Sequence, residues 1–268
     1  MLLRFKPARF VAVFAVIGAV VAVAREAGAY LLPASFLIHQ MADRRVKAEV
    51  RDCVVTLTAE VDGRQDPVEE RIYVKSPERI RVERDLGDTE WVMVEREGKR
   101  AEGDAKSLKI SQAPSTELLA ALLMPRGRDA DEMSQRTIAT LQAAGIDTKI
   151  VGITIYGKDA RETAYVIGAK PYETDKPQIW FDSTSFLPVR LVSFVDEGAK
   201  IENGGRIDGG GKKVRYESRF FDYASGSVDF FPRVIENYKA GKLVRRAEVS
   251  DLKVNQDLPE TLFQVPAG

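Results

Sequence analysis

Residues 178–194, QIWFDSTSFLPVRLVSF, decide the fold. Gln178 to Asp182 reads as one β-strand, Ser183 to Ser185 as a polar turn and Phe186 to Phe194 as the returning strand. Both arms are rich in β-branched and aromatic residues, and Pro188 stands near the start of its strand, where a missing N–H is tolerated. The stretch has no nucleophile, metal cluster or phosphate cradle. It offers a large apolar surface with a charged reverse face, which points to a surface that holds something rather than a site that cleaves something.

Working outward, the same period recurs on both sides. Asp147 to Tyr156 and Glu162 to Ala169 precede the hairpin, and Lys213 to Tyr223 follows it across a Gly-rich loop from Asn203 to Gly211. Pro232 to Lys239 and Leu243 to Val254 make a last pair, turning at Ala240-Gly241. Nearer the N-terminus, Lys47 to Val61, Val68 to Lys75, Arg79 to Glu83 and Thr89 to Arg96 read as a meander, with weaker signal from Gly98 to Ser111. Arg79-Ile80-Arg81-Val82-Glu83 alternates strictly, the mark of one wet and one buried face. Roughly ten to twelve strands in one domain exceed what a flat sheet holds comfortably, so the sheet should curl into a barrel or half-barrel.

Helical spacing appears in three places. Pro33 to Arg45 opens the folded part, ending in Asp43, Arg44 and Arg45. Ser115 to Leu123 carries Leu118, Leu119, Leu122 and Leu123 on one side and is stopped by Pro125-Arg126-Gly127. Asp129 to Ala144 places Asp129, Asp131 and Glu132 in its first turn, where the helix dipole favours them, with Gly145 beyond its end. Two helices set into a meander have to lie across one face or one mouth of it.

Composition narrows the function. With 268 residues and 44% hydrophobic side chains the chain buries a real core. Forty basic and forty acidic residues cancel; without Arg4, Lys6, Arg9, Arg25 and Glu26 of the first 29 residues, 36 basic stand against 39 acidic. That balance argues against nucleic acid, which needs clustered positive charge. The pairs Arg44–Arg45, Lys212–Lys213 and Arg245–Arg246 are isolated and read as solvated surface. Residues 1–29 combine a basic start, an uncharged apolar run from Phe10 to Ala24 and the small residues Ala27-Gly28-Ala29: a secretory signal peptide, with an uncleaved anchor as the competing reading. Cys53, the single cysteine, lies within an apolar strand and reads as a small buried hydrophobe.

Catalytic groups are poorly supplied. His39 is the single histidine and reads as an ordinary helix residue; no G-x-S-x-G stretch presents a serine, and zinc sites built on His or Cys lack ligands. Glu69–Glu70 and Asp129/Asp131 fit strand-surface and helix-start roles, and Gly209-Gly210-Gly211-Lys212 lacks the other residues of a phosphate loop. What remains is apolar surface in excess of the needs of turns and edges. One sheet face is ordinary core against the first helix; the other is either further core or the lining of a cavity for an apolar ligand.

Several stretches resemble the periplasmic lipoprotein-carrier family, the LolA/LolB-like fold. Tyr73-Val74-Lys75-Ser76-Pro77-Glu78-Arg79-Ile80-Arg81 is similar to its strand, proline and alternating-strand element, with Ser76 where the carrier has a basic residue. Ile179-Trp180-Phe181-Asp182 through Leu191 resembles its central hairpin, and VSDLKVNQDLPETLFQV (249–265) its C-terminal signature. The resemblance implies a mainly β, α+β fold: a curved antiparallel sheet or half-open barrel of about 10–12 strands with an N-terminal helix and a two-helix lid, as a single domain over residues 30–268. It implies a non-enzymatic carrier or sensor of acyl chains in the periplasm, monomeric, without cofactor or metal. Lipoprotein acyl chains or lipid would be the cargo, with an inner-membrane exporter or outer-membrane acceptor as protein partner. The expected lining is Ile80, Val82, Trp91, Met93, Trp180, Leu191 and Phe194, with Leu118, Leu119 and Leu122 from the lid. The alternative is an envelope scaffold with a filled core that recognises a protein partner such as an exporter.

Overall fold

The computed structural model describes residues 31–75, 79–96, 99–110, 122, 127–157, 161–197, 201–202, 205–206, 212–223 and 230–266. Contacts divide the chain into Met1–Leu32 and Pro33–Gly268, and the fold is that of the second unit.

Helix α1 (Ala34–Lys47) is followed by β1 (Asp52–Val61), β2 (Val68–Lys75), β3 (Arg79–Asp85), β4 (Glu90–Arg96), β5 (Lys99–Asp104) and β6 (Lys109–Ile110). Helix α2 (Ala130–Ala143) then leads to β7 (Val151–Tyr156), β8 (Glu162–Ile167), β9 (Gln178–Asp182) and β10 (Pro188–Glu197). The small pair β11 (Ile201–Glu202) and β12 (Gly205–Arg206) precedes β13 (Lys212–Tyr223), β14 (Pro232–Lys239), β15 (Lys242–Val254) and a 3-10 turn (Glu260–Phe263).

Thirteen strands form one antiparallel sheet in the order β6-β5-β4-β3-β2-β1-β15-β14-β13-β10-β9-β8-β7. Two consecutive meanders, β1–β6 and β7–β15, are therefore joined along β1 and β15, with Cys53 opposite Val254 and Val61 opposite Arg245. Opposite Thr56 and Leu57, β15 carries one extra residue, Ser250, a bulge that brings its alternation back into phase with β1. The ends, β6 and β7, do not pair with each other, so the sheet stays open. The main sheet thus has more strands than the ten to twelve expected, because the weakly patterned stretch after Gly98 contributes β5 and β6.

Paired residues of an antiparallel sheet share a face, so the register sorts the side chains. The inner face carries Cys53, Val55 and Leu57 of β1, Ile72 and Val74 of β2, Ile80 and Val82 of β3, and Met93 of β4. In the other meander it carries Phe220, Leu191, Ile179 and Ile167, all buried. Helix α1 lies over this face: Phe36 meets Phe186 edge-on at 6.2 Å, and Arg45, in its last turn, reaches Cys53. Phe36 and Arg45 are nine residues apart, about 14 Å of helix rise, and their long side chains extend the reach across β13, β14 and β15. Helix α2 packs on α1, with Asp131 3.3 Å from His39, and its far end leads to Ile146 beside Gly168, at the start of the β8–β9 connection. Helix α1 runs two residues beyond its expected end at Arg45, and β1 starts at Asp52 rather than Lys47.

The outer face is sealed at β2–β4 by the C-terminal segment. Leu258 and Phe263 pack with Val92 and Val94, flanked by Val54 and Tyr73. Asp52 accepts from the backbone N–H of Gln256 at 2.7 Å, and Lys75 donates to the carbonyl of Leu258. The Asn255, Leu258 and Phe263 spacing in the sequence is therefore the spacing of a turn and two anchors.

Candidate ligand-binding site

The inner floor of β2–β4 is an apolar patch of Ile72, Val74, Ile80, Val82, Trp91 and Met93. Its borders are charged. Glu70, buried on the inner face of β2, accepts from Arg84 and from Arg245 at 3.1 Å, and Arg84 lies 4.6 Å over the Trp91 ring. Arg245 is thus no solvated surface residue: it neutralises a buried carboxylate, and burial lowers its own pKa.

At the opposite rim, a cleft of about 700 Å³ opens between the end of α1, the α1–β1 turn, the end of β2 and the start of α2. Val46, Val50 and Met133 give it apolar walls; Arg45, Arg51, Lys75 and Arg128 give it positive charge, and Glu49 is the acid among its lining residues. The walls are fixed locally. Asn255, in the left-handed region at φ 55, accepts from the Arg51 N–H at 2.8 Å and donates to the Glu49 carbonyl, clamping the turn. Gly127, at φ 149, brings the chain against the first turn of α2, where a Cβ would stand 2.6 Å from the Met133 nitrogen. Asp129 then caps α2, accepting from the Glu132 N–H at 2.8 Å.

The register divides the expected lining set between two faces. Ile80, Val82, Trp91 and Met93 share the inner floor of β2–β4, and Leu191 shares that face in the other meander. Trp180 and Phe194 point the other way. On the outer face the Arg190 guanidinium lies 4.5 Å over Trp180, and Lys213 lies 5.0 Å over Phe194. Cations cover these rings where a second apolar layer was expected. Leu122 is buried and helical, whereas Leu118 and Leu119 lie outside the described residues, as does most of the first lid helix.

The cleft cations were missed because charge in a sequence reads as surface. Arg45 is 5% exposed, not solvated as the isolated Arg44–Arg45 pair suggested. The signal lay in helical spacing: Leu37, Ile38, Met41 and Arg45 form one buried stripe.

Among the described residues no group of acidic, His or Cys side chains could hold a metal, and no helix is long and apolar enough to cross a membrane. No protein-family model and no curated protein matches the chain. Solved structures do resemble it. A LolA superfamily protein from Nitrosomonas europaea is similar over 87% of this chain and 98% of its own, with 13% identity and a TM-score of 0.49. An outer membrane lipoprotein-sorting protein domain from Vibrio parahaemolyticus is similar over 84% and 95%, with 11% identity and a TM-score of 0.46. MucB is similar over 87% and 63%, with 13% identity and a TM-score of 0.32. These are distant likenesses of fold, and the open, helix-covered antiparallel sheet stands on its own register.

Proposed function

We propose that this protein is a non-enzymatic binding module of the periplasm, exported by residues 1–29 and folded as one domain over 30–268, that holds acyl chains of a lipid or lipoprotein on the inner face of its open sheet. The observation that carries this reading is the apolar floor of Ile72, Val74, Ile80, Val82, Trp91 and Met93 on the inner face of β2–β4. The outer side of the same strands is closed by Leu258 and Phe263, and on the inner side Ile80, Val82 and Met93 are already buried, so a guest enters only as their cover is displaced. Each buried CH₂ contributes about 0.8 kcal/mol, so a long chain gains enough to be held and a movable cover is needed for its release. Mass spectrometry of organic extracts of the purified protein, with displacement of a fluorescent fatty-acid probe, tests this. A stoichiometric acyl species is expected; its repeated absence, with no displacement, overturns the reading.

A second reading, recognition of a protein partner such as an exporter or acceptor, has one observation in its favour. Strand β7 is a terminal strand of the sheet among the described residues, and Ile155 on it is 64% exposed. An added strand from a partner would satisfy that edge.

A further inference from the structure

Arg45 stands out among the charged groups of the inner side. It is 5% exposed, and its Nε and Nη1 are buried without a hydrogen-bond partner. Its place in the last turn of α1 and the Phe230 ring 4.5 Å away both favour a cation. Neither supplies an acceptor to Nε or Nη1 here, and leaving buried charged donors unpaired is costly. Cys53 cannot compensate: burial pushes its thiol up to about 12, so it is neutral at physiological pH. Burial lowers Arg45 to about 10, which leaves it charged. The other cleft cations each have a carboxylate beside them: Asp257 3.7 Å from Arg51, Glu260 3.0 Å from Lys75 and Glu132 3.1 Å from Arg128. Arg45 has none among the described residues.

We propose that the rim cleft binds a phosphate-type oxyanion on Arg45, as the head of an amphiphile whose acyl chain runs over Val74 and Ile80 onto the inner floor. This rests on the acyl-chain reading above. The guanidinium fork matches two oxygens of one such group, which would supply acceptors to Nε and Nη1 together. Arg51 and Arg128 are exposed and can turn toward a second negative charge, which favours a phosphate over a single carboxylate. The cleft and the floor are close neighbours: the Arg45 charge is felt at Cys53, Cys53 pairs with Val74, and Val74 pairs with Ile80.

Titration calorimetry on the folded protein tests the site with dodecyl phosphate, 1-dodecanol and inorganic phosphate, all below micellar concentration. Dodecyl phosphate is expected to bind at least tenfold tighter than 1-dodecanol. Arg45→Met should abolish that difference and leave 1-dodecanol within twofold. Should this variant fail to fold, Arg51→Gln with Arg128→Gln, both at exposed positions, should reduce the difference at least threefold. Equal binding of the two amphiphiles by the native protein overturns the proposal while leaving the acyl-chain reading standing. Inorganic phosphate as tight as dodecyl phosphate identifies free phosphate as the source and overturns the amphiphile. Phosphate binding that is lost in Arg45→Met, with neither amphiphile bound, keeps the oxyanion site and overturns the acyl-chain reading. Binding of none of the three overturns both.

Discussion

Arg190 and Glu217 meet at 2.8 Å across neighbouring strands of the outer face, and Arg215 and Arg219 close on the same carboxylate at 2.6 Å each. The Glu217 side chain is 2% exposed. Burial alone would raise its pKa, but the guanidinium hydrogen bonds of Arg190 and Arg219 overcome that and hold it below the ordinary 4.5. A carboxyl depressed in the folded state stabilises above its unfolded value and loses that contribution as the pH falls through 4.5 and below. Glu217→Gln should cost about 3 kcal/mol at pH 7. Urea unfolding should show the gap from the native protein narrowing on acidification; a gap independent of pH would mean the cluster does not act through charge.

Trp91 and Trp180 report on opposite faces. Trp91 lies with the inner floor, and Trp180 lies on the outer face under Arg190. Titration with an acyl chain should change the fluorescence of Trp180→Phe, which keeps Trp91, and leave that of Trp91→Phe unchanged. A response confined to Trp180 would place the guest on the wrong face.

Phe263 is fully buried against Val92 and Val94. Phe263→Ala should cost about 3–5 kcal/mol through lost burial and the cavity left behind. Limited proteolysis should then cut near residues 255–266 before the sheet unfolds, because only polar contacts, through Asn255, Gln256, Leu258 and Glu260, and the apolar side chain of Leu258 would hold the segment. Cutting elsewhere first would show that the segment is not an independent seal.

Cys53 has its thiol raised to about 12 by burial. A thiol reagent at pH 8 should therefore label the folded protein only as fast as it opens, and mild denaturant should speed labelling steeply. Rapid labelling without denaturant would contradict the burial of β1 beneath α1.

Much of the fold was legible because strand periodicity is local. Val68–Lys75 and Pro232–Lys239 were bounded correctly, and the Ala240-Gly241 turn has the positive φ values, 49 and 85, that a tight hairpin requires. The hairpin 178–194 was right in its first arm, whereas its second begins at Pro188, since Phe186 is spent in the turn at φ 57. Faces were harder. Trp180 and Phe194 read as lining because an aromatic side chain signals burial without saying what covers it, and here guanidinium and ammonium groups do. Arg45 failed for the converse reason: nothing in Asp43-Arg44-Arg45 marks which charge the helix turns inward. The pairing of β1 with β15 joins residues about two hundred positions apart, which no local pattern encodes.

That seam also sets the order in which the molecule can be assembled. Each meander builds from contacts between successive strands, but Cys53 has no partner at Val254 until nearly the whole chain has been synthesised. Until then β1 is a raw edge, flanked by the apolar side chains of Val55 and Leu57. Closing a loop this long is slow relative to forming either meander. The half-made protein is therefore the form most exposed to aggregation, and a chain cut short before Lys242, which lacks β15, should accumulate with its two meanders unjoined.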